Sequence, residues 1–228
     1  MKKHILGVKI DDVSLEEAVS IVEDWLKKAD QHYIVTPNPE FLMTAQKDAE
    51  FKKILNESDL SIPDGKGLRI GTDIVCNTTG IDLMERLIKL ADEKGLTTGF
   101  LGGRDGVAQN SVNCLRKKYP KLKVSFVSEE PKKIPSTDLL FVAFGHPKQE
   151  KWISENLKNL PAGRQVPVKV AMGVGGAFDY ISGRVPRAPA WVRNIGLEWL
   201  FRLVVEPWRI KRQVALLKYL MLIWRYGS

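Results

Sequence analysis

Short apolar segments alternate with segments of helical periodicity along this chain, and this alternation constrains the fold more than any other feature. A Ser14–Glu17 capping box marks the start of the first helical segment. Strands that are joined through helices form parallel sheets with helices on both faces. The sequence therefore predicts an α/β fold with a mostly parallel sheet. The strand candidates are residues 4–10, 32–38, 60–65, 97–103, 123–128, 139–145 and 168–176.

The last 42 residues, from Arg187 to Ser228, contain most of the surplus positive charge. They hold eight Lys and Arg against two Glu, which is +6 of the chain's net +8, and four of its six Trp. Because no clean run of about 18 apolar residues occurs there, the tail suits the plane of an anionic membrane better than its interior. We therefore predict an α/β catalytic domain over residues 1–190 and a helical, membrane-associating appendage over 191–228, divided by Pro207.

Composition excludes several other classes of protein. The two cysteines, Cys76 and Cys114, form no disulfide framework, and no Cys/His spacing is typical of a metal site. Asp11 and Asp12 interrupt the basic, apolar N-terminal segment, so we expect neither a signal peptide nor a membrane span and place the protein in the cytoplasm. The positive charge is concentrated in one tail instead of a groove, so we expect no nucleic-acid partner. Apolar surface on that tail permits self-association.

Glycine and polar residues cluster where the strand candidates end. In doubly wound, Rossmann-like sheets, ligands bind outside the carboxyl ends of the strands. Gly102 and Gly103 end one strand candidate and Gly175 and Gly176 end another. Such residues let the backbone approach a phosphorylated ligand near helix N-termini, although Gly102 and Gly103 suit a tight turn equally well. The dinucleotide GxGxxG and P-loop GxxxxGK[ST] patterns do not occur.

Asp64 is the best candidate for a general base. It stands at a strand end before Gly-Lys-Gly, where a carboxylate can be exposed in a cleft, as a base requires. The alternative is an Asx-turn that caps the next helix. Thr36 and Asn38 end the preceding strand candidate and could orient a sugar hydroxyl, or else cap the helix that starts at Pro39. His146 is as consistent with a turn residue as with an acid or base.

Three arginines of the tail, Arg202, Arg209 and Arg212, recur at spacings of seven and three. They share one helix face if Pro207 disrupts the helix little. They could attract lipid headgroups, or fold over the site and neutralise a diphosphate, whose oxygens a guanidinium binds bidentately.

These segments together resemble the WecG/TagA/CpsF family of bacterial glycosyltransferases, glycosyltransferase family 26, over essentially the whole chain. The resemblance implies transfer of a sugar, often N-acetylmannosamine, from a UDP donor to an undecaprenyl-diphosphate-linked acceptor sugar. Products of that kind supply teichoic acid and other surface polysaccharides. The family's proposed base falls on Asp64, its TPN threonine on Thr36, and its C-terminal arginines on Arg202, Arg209 and Arg212. The segments are VTPNPEF (35–41), PDGKGL (63–68), FLGG (100–103), FVAFGHPKQEKWI (141–153) and residues 173–209.

We therefore expect an inverting transferase that works at the inner face of the plasma membrane on a GlcNAc acceptor. Asp64 would deprotonate the acceptor, while the helix N-termini near the glycine pairs and the tail arginines stabilise the departing UDP. Gln149 would contact the donor's sugar or uridine. Asp179 would hold a ribose or sugar hydroxyl, or else be an ordinary turn residue. Glu150 would cap its helix. No Asp-x-Asp dyad occurs, so we expect metal-independent activity without a cofactor. The alternatives are a Rossmann-type oxidoreductase and a non-enzymatic protein that binds membranes or nucleic acid.

Overall fold

The computed structural model describes residues 2–76, 78–130, 134–157, 167–189, 192, 198–207 and 210–226, with the backbone alone at 198, 199, 202, 211, 212 and 226. The predicted strand over residues 4–10 is wrong, because this segment forms a hairpin. Strands β1 (Lys2–Ile5) and β2 (Val8–Asp11) pair antiparallel. The two turn residues, Leu6 and Gly7, have positive φ values of 50° and 74°, as a two-residue hairpin turn requires.

Six parallel strands form the central sheet, which confirms the predicted mostly parallel α/β fold. They lie in the order β4-β3-β8-β7-β5-β6, so the last strand of the chain inserts near the middle of the sheet. The strands are β3 (His32–Val35), β4 (Leu60–Ser61), β5 (Thr97–Gly102), β6 (Lys123–Ser128), β7 (Thr137–Ala143) and β8 (Val168–Gly173).

Helices cover both faces of this sheet. The predicted capping box is present at the first of them, where Ser14 Oγ accepts from the Glu17 N–H at 3.2 Å and the Glu17 carboxylate accepts from the Ser14 N–H at 2.7 Å. The helices are α1 (Leu15–Leu26), α2 (Pro39–Ala45), α3 (Ala49–Glu57), α4 (Gly80–Lys94), α5 (Val107–Lys118), α6 (Lys148–Leu157), α7 (Ala177–Ile181), α8 (Glu198–Val205) and α9 (Ile210–Tyr226), with a 3-10 turn at Lys66–Arg69.

Two hydrophobic clusters form the core, one on each face of the sheet. Successive side chains of a strand point to opposite faces, and β7 illustrates this: Leu139 and Phe141 belong to one cluster, and Leu140 and Val142 to the other. The first cluster includes α1, α4 and α5, and the second includes α2, α3, α6 and the hairpin. Because both faces are covered, the central strands are almost wholly apolar, as parallel strands usually are.

The C-terminal helix α9 packs on the second face. Its Tyr219 and Ile223 are buried in the same cluster as Leu68, and the Tyr219 hydroxyl donates to the Leu68 carbonyl at 3.1 Å. Burial raises the pKa of the Tyr219 hydroxyl to about 12, so this group keeps its proton. Helix α8 ends at Val205 and α9 begins at Ile210, so Pro207 divides the tail as predicted. The division into a domain over 1–190 and an appendage over 191–228 stays a prediction.

Among the described residues, no helix is both long enough and apolar enough to cross a bilayer.

Candidate active site

A cleft opens where β3, β4, β7 and β8 end, and it encloses about 670 Å³ of space that is partly open to solvent. It brings together half of the site residues predicted from the sequence, from strand ends that are far apart along the chain. These are Thr36, Asn38, Asp64, Gln149, Gly175 and Gly176. Further residues on its walls are Phe41, Gly80, Ile81, Gly145, His146, Val174, Ala177 and Tyr180.

Asp64 lies on the wall of this cleft, half-buried, just beyond β4. Its own N–H donates to the Pro37 carbonyl at 2.7 Å, and its Oδ1 accepts from the N–H of Gly80, the first residue of α4, at 3.0 Å. The helix N-terminus favours the negative charge. No described residue donates to Oδ2. The two interpretations of Asp64 are therefore compatible, because one oxygen binds the helix N-terminus and the other remains to accept a proton.

Thr36 and Asn38 stand at the neighbouring strand end. Thr36 is buried, and its hydroxyl lies 3.5 Å from the Gly173 carbonyl, so this hydrogen bond is long. Asn38 caps α2, because its Oδ1 accepts from the N–H groups of Glu40 and Phe41 at 2.9 and 3.2 Å. The capping alternative is thus present for Asn38, and Nδ2 is the atom left to reach a ligand.

Gln149 is only 2% exposed and joins two loops of the cleft. Its Oε1 accepts from the Gly145 N–H after β7 at 3.2 Å and from the Gly175 N–H after β8 at 3.0 Å. Its Nε2 donates to Glu150 Oε1 at 2.7 Å. The Gly175 N–H is therefore already bonded to protein, and a backbone donor to a phosphate in this loop would have to come from Gly176.

The sequence assigned neither His146 nor Glu150 to the site. In the structure His146 lies on the wall of the cleft, and Glu150 lies behind that wall. His146 lines the cleft, its ring stacks on Phe41 with centroids 4.2 Å apart, and its Nε2 lies 2.8 Å from Thr44 Oγ1. Glu150 is fully buried behind Gln149. A signal for Glu150 existed: with Ile153 and Leu157 it lies at helical spacing on the buried face of α6.

Gly102, Gly103 and Asp179 are not among the residues that line the cleft. Gly102 has a φ of 94°, and a Cβ there would stand 2.8 Å from the Ala143 carbonyl carbon and oxygen, so the close approach of β5 to β7 requires glycine. The Gly103 N–H donates to that same carbonyl at 3.0 Å. Their geometry matches the tight-turn alternative. The Asp179 carbonyl accepts from the Val185 N–H at 3.0 Å, within the turn after α7.

The charge needed to hold a diphosphate does not come from the cleft walls described here, to which no Lys or Arg contributes. The candidate cations of the tail, Arg202, Arg209 and Arg212, have side chains outside the described residues. Arg187, the first residue of the tail, is bonded to Asp82 of α4 with Nη2 and Oδ1 2.5 Å apart. Within the described ranges, no group of three or more His, Cys, Asp or Glu is placed to hold a metal ion, and metal independence stays a prediction.

Comparison with known families agrees with this arrangement of strand ends. Residues 3–228 match the profile of the glycosyl transferase WecG/TagA/CpsF family. The chain belongs to this family. Membership favours the transferase over the oxidoreductase and over a non-enzymatic binding protein. It also confirms the resemblance found in the segments from VTPNPEF to the tail.

Individual bacterial proteins are also similar to this chain over most of both chains. A Bacillus subtilis protein is 32% identical in an alignment 223 residues long, and the alignment covers 88% of this chain and 84% of the relative. A Bacillus spizizenii protein is 30% identical in an alignment 240 residues long, which covers 98% of this chain and 91% of the relative. A Staphylococcus aureus protein is 27% identical over 228 residues, 92% and 87%. All three are named N-acetylglucosaminyldiphosphoundecaprenol N-acetyl-beta-D-mannosaminyltransferase.

Proposed function

We propose that the protein transfers a sugar, N-acetylmannosamine, from a UDP donor to an undecaprenyl-diphosphate-linked GlcNAc, with inversion at the anomeric carbon. The observation on which this rests is the Asp64 carboxylate, held by the α4 N-terminus on the wall of a cleft at the carboxyl ends of parallel strands. The names of the relatives supply the acceptor and the sugar. Such products enter teichoic acid or another surface polysaccharide.

In the proposed reaction, an acceptor hydroxyl attacks the anomeric carbon and Asp64 Oδ2 takes its proton. The new C–O bond forms as the bond from the anomeric carbon to the diphosphate oxygen breaks, and UDP leaves with that electron pair. One displacement without a covalent intermediate inverts the configuration. Thr36 and the Asn38 Nδ2 stand beside Asp64 in the same cleft and would orient hydroxyl groups of the reacting sugars.

The departing diphosphate needs positive charge that the described cleft walls lack. We assign this role to Arg202, Arg209 and Arg212, because guanidinium groups bind phosphate oxygens in pairs. In this proposal the tail lies over the cleft during the reaction. A divalent cation is then unnecessary, because the three arginines supply the positive charge. Gly176 and the glycines Gly102 and Gly103 stay weaker candidates for backbone contacts to the donor.

The C-terminal helix supports the proposal that the protein works at the inner face of the plasma membrane. Opposite the buried Tyr219, α9 exposes an apolar stripe at spacings of four and three residues. Lys218 and Arg225 are exposed on the same helix, so the surface combines apolar and cationic side chains. The stripe, named here the α9 stripe, consists of Ile210 (54% exposed), Val214 (47%), Leu217 (61%), Met221 (61%) and Trp224 (90%). The same surface would permit self-association.

The proposal is tested by incubating the full chain with a panel of UDP-sugars and a short-chain lipid-diphosphate-GlcNAc, with and without EDTA, and identifying products by mass spectrometry. We expect a disaccharide carrying N-acetylhexosamine from UDP-N-acetylmannosamine, with equal yield in EDTA. Transfer from a different UDP-sugar alone would correct the sugar. Absence of transfer from every donor, with no binding of UDP, would refute the proposed function.

A further inference from the structure

Glu150 is a fully buried carboxyl group just behind the cleft, and the proposed reaction does not use it. It occupies the buried face of α6 together with Ile153, Ser154 and Leu157. Its Oε1 accepts from Gln149 Nε2 at 2.7 Å, and its Oε2 lies 4.0 Å from His146 Nδ1. No described residue donates a hydrogen bond to Oε2. Burying a carboxyl group away from water costs free energy unless the group is neutral or its oxygens accept hydrogen bonds.

The contact with Gln149 determines which way the Gln149 amide points. Oε1 of Gln149 accepts from the N–H groups of Gly145 and Gly175, and a flip of the amide by 180° would turn its NH₂ group against these two donors. Glu150 Oε1 opposes that flip, because after the flip it would face the Gln149 amide oxygen instead of Nε2. One carboxyl oxygen thereby maintains a bridge between the loops that follow β7 and β8.

The Thr44 hydroxyl contacts His146, the side chain whose Nδ1 lies 4.0 Å from Glu150 Oε2. The Thr44 hydroxyl donates to the Glu40 carbonyl at 3.1 Å, so its oxygen is left to accept from His146 Nε2–H at 2.8 Å. In this tautomer His146 Nδ1 has a lone pair, and it lies 4.0 Å from Glu150 Oε2.

Burial raises the pKa of Glu150 to about 8, against the hydrogen bonds from Gln149 and from its own backbone, which lower it. The carboxyl group is thus neutral at pH 7. His146 is the titratable side chain within 4.0 Å of it. Other titratable or charged side chains on the elements around α6 include Tyr33 of β3, Glu40 of α2, the α3 cap Asp48 and Glu50 of α3 with their partner Lys151, and Asp138 of β7 with Lys169 of β8.

We propose that Glu150 is a positioning residue, which fixes the Gln149 amide and through it holds the Gly145 and Gly175 loops in the geometry that the nucleotide-sugar donor requires. The identity of the donor in this inference rests on the proposed function. The existence of the bridge does not depend on that function. Loss of the bridge would alter the wall of the cleft without touching Asp64. The effect should therefore fall on the donor and on turnover, and spare the affinity for the acceptor.

Two substitutions separate this role from simple packing. Glu150→Gln keeps an acceptor for Gln149 Nε2 and has no charge, as the neutral acid has none. Glu150→Leu fills a similar volume without the acceptor. Ser154→Ala is the matched control, because it removes another buried polar group from the same face of α6. Far-ultraviolet circular dichroism establishes that each variant is folded.

The first readout needs no activity. Amide hydrogen exchange at residues 145 and 175 should accelerate at least about tenfold in Glu150→Leu, and stay close to the wild-type rate in Glu150→Gln and Ser154→Ala. Unchanged exchange in Glu150→Leu would refute the bridge. If Glu150→Leu does not fold, Gln149→Leu takes its place, because this change removes the bridging amide itself. Equal exchange rates in Gln149→Leu and Glu150→Gln would then refute the bridge.

The second readout is steady-state kinetics with UDP-N-acetylmannosamine and the short-chain acceptor. Glu150→Leu should lose about tenfold or more in kcat/KM for the donor, with an unchanged KM for the acceptor, and Glu150→Gln should recover most of the loss. Wild-type donor kinetics in Glu150→Leu, or equal loss in both variants, would overturn the positioning role. A wild-type protein without transfer would refute the proposed function instead, and the exchange result would still decide the bridge.

Discussion

Replacing Glu150 by glutamine should make the free energy of unfolding less dependent on pH between about 4.5 and 8. Burial raises the pKa of Glu150 from its ordinary value of 4.5 to about 8 in the folded protein. In this interval the unfolded chain has released the proton and the folded protein retains it. Stability therefore falls as pH rises, by about 1.4 kcal/mol per pH unit, and levels off above the folded pKa. Glutamine has no such proton to release.

The difference between the two proteins can be measured by urea unfolding at about pH 6 and about pH 7.5, followed by tryptophan fluorescence. Over that step the wild type should lose about 2 kcal/mol more than Glu150→Gln. Glu155→Gln is the matched control, since it removes an exposed carboxylate from the same helix. An unfolding free-energy difference between wild type and Glu150→Gln that stays constant from pH 6 to pH 7.5 would refute the reasoning, because Glu150 would then not be a buried neutral acid.

Three other predictions concern packing and the tail. Tyr219→Phe should leave the Leu68 carbonyl without its donor, cost about 1–2 kcal/mol, and speed amide exchange across α9 about tenfold. Gly102→Ala should place a methyl group against the Ala143 carbonyl and lower the free energy of unfolding by about 1–3 kcal/mol. Trp224→Ser should weaken binding to anionic vesicles by roughly 2 kcal/mol, about thirtyfold in affinity, because the largest exposed side chain of the α9 stripe is lost.

Two of these predictions, those for Gly102 and Trp224, have a control within the chain. Gly183 has a φ of 77° and open space around it, so Gly183→Ala measures backbone strain without the contact. Equal destabilisation at both glycines would contradict the packing argument for Gly102. Val75 is 71% exposed and lies outside α9, so Val75→Ser should leave vesicle binding unchanged. If it weakens binding as much as Trp224→Ser, the α9 stripe is not the membrane surface. Unaltered exchange in Tyr219→Phe would show that its hydrogen bond does not hold α9.

The sequence predicted the fold class and half of the candidate site for one physical reason: parallel strands place their carboxyl ends at one edge. Thr36, Asp64 and Gly175 follow three different strands and meet in the cleft because those strands are neighbours or near neighbours. Gly102 is the last residue of β5, which β7 separates from β8, and it does not line the cleft. The order of the strands is a long-range property that the alternation of segments does not specify.

Other differences arose where one local signal had two meanings. The apolar run 4–10 suggested one strand, but Leu6 and Gly7 adopt the positive φ values that reverse the chain. Glu150 could have been a surface cap by its position in the first turn of α6. Its spacing to Ile153 and Leu157 places it on the buried face instead, and only the packing of β8 shows that it is enclosed.

The central claim is that Asp64 removes the proton from the acceptor hydroxyl, and Asp64→Asn tests it most directly. Asparagine keeps an oxygen that can accept from the Gly80 N–H and fits the same space, but it cannot serve as the base. The measurement is single-turnover transfer from saturating UDP-N-acetylmannosamine to the short-chain acceptor, together with the dissociation constant of UDP. We predict a rate lower by a factor of about 10² or more with an unchanged dissociation constant. A rate close to that of the wild type would contradict the account.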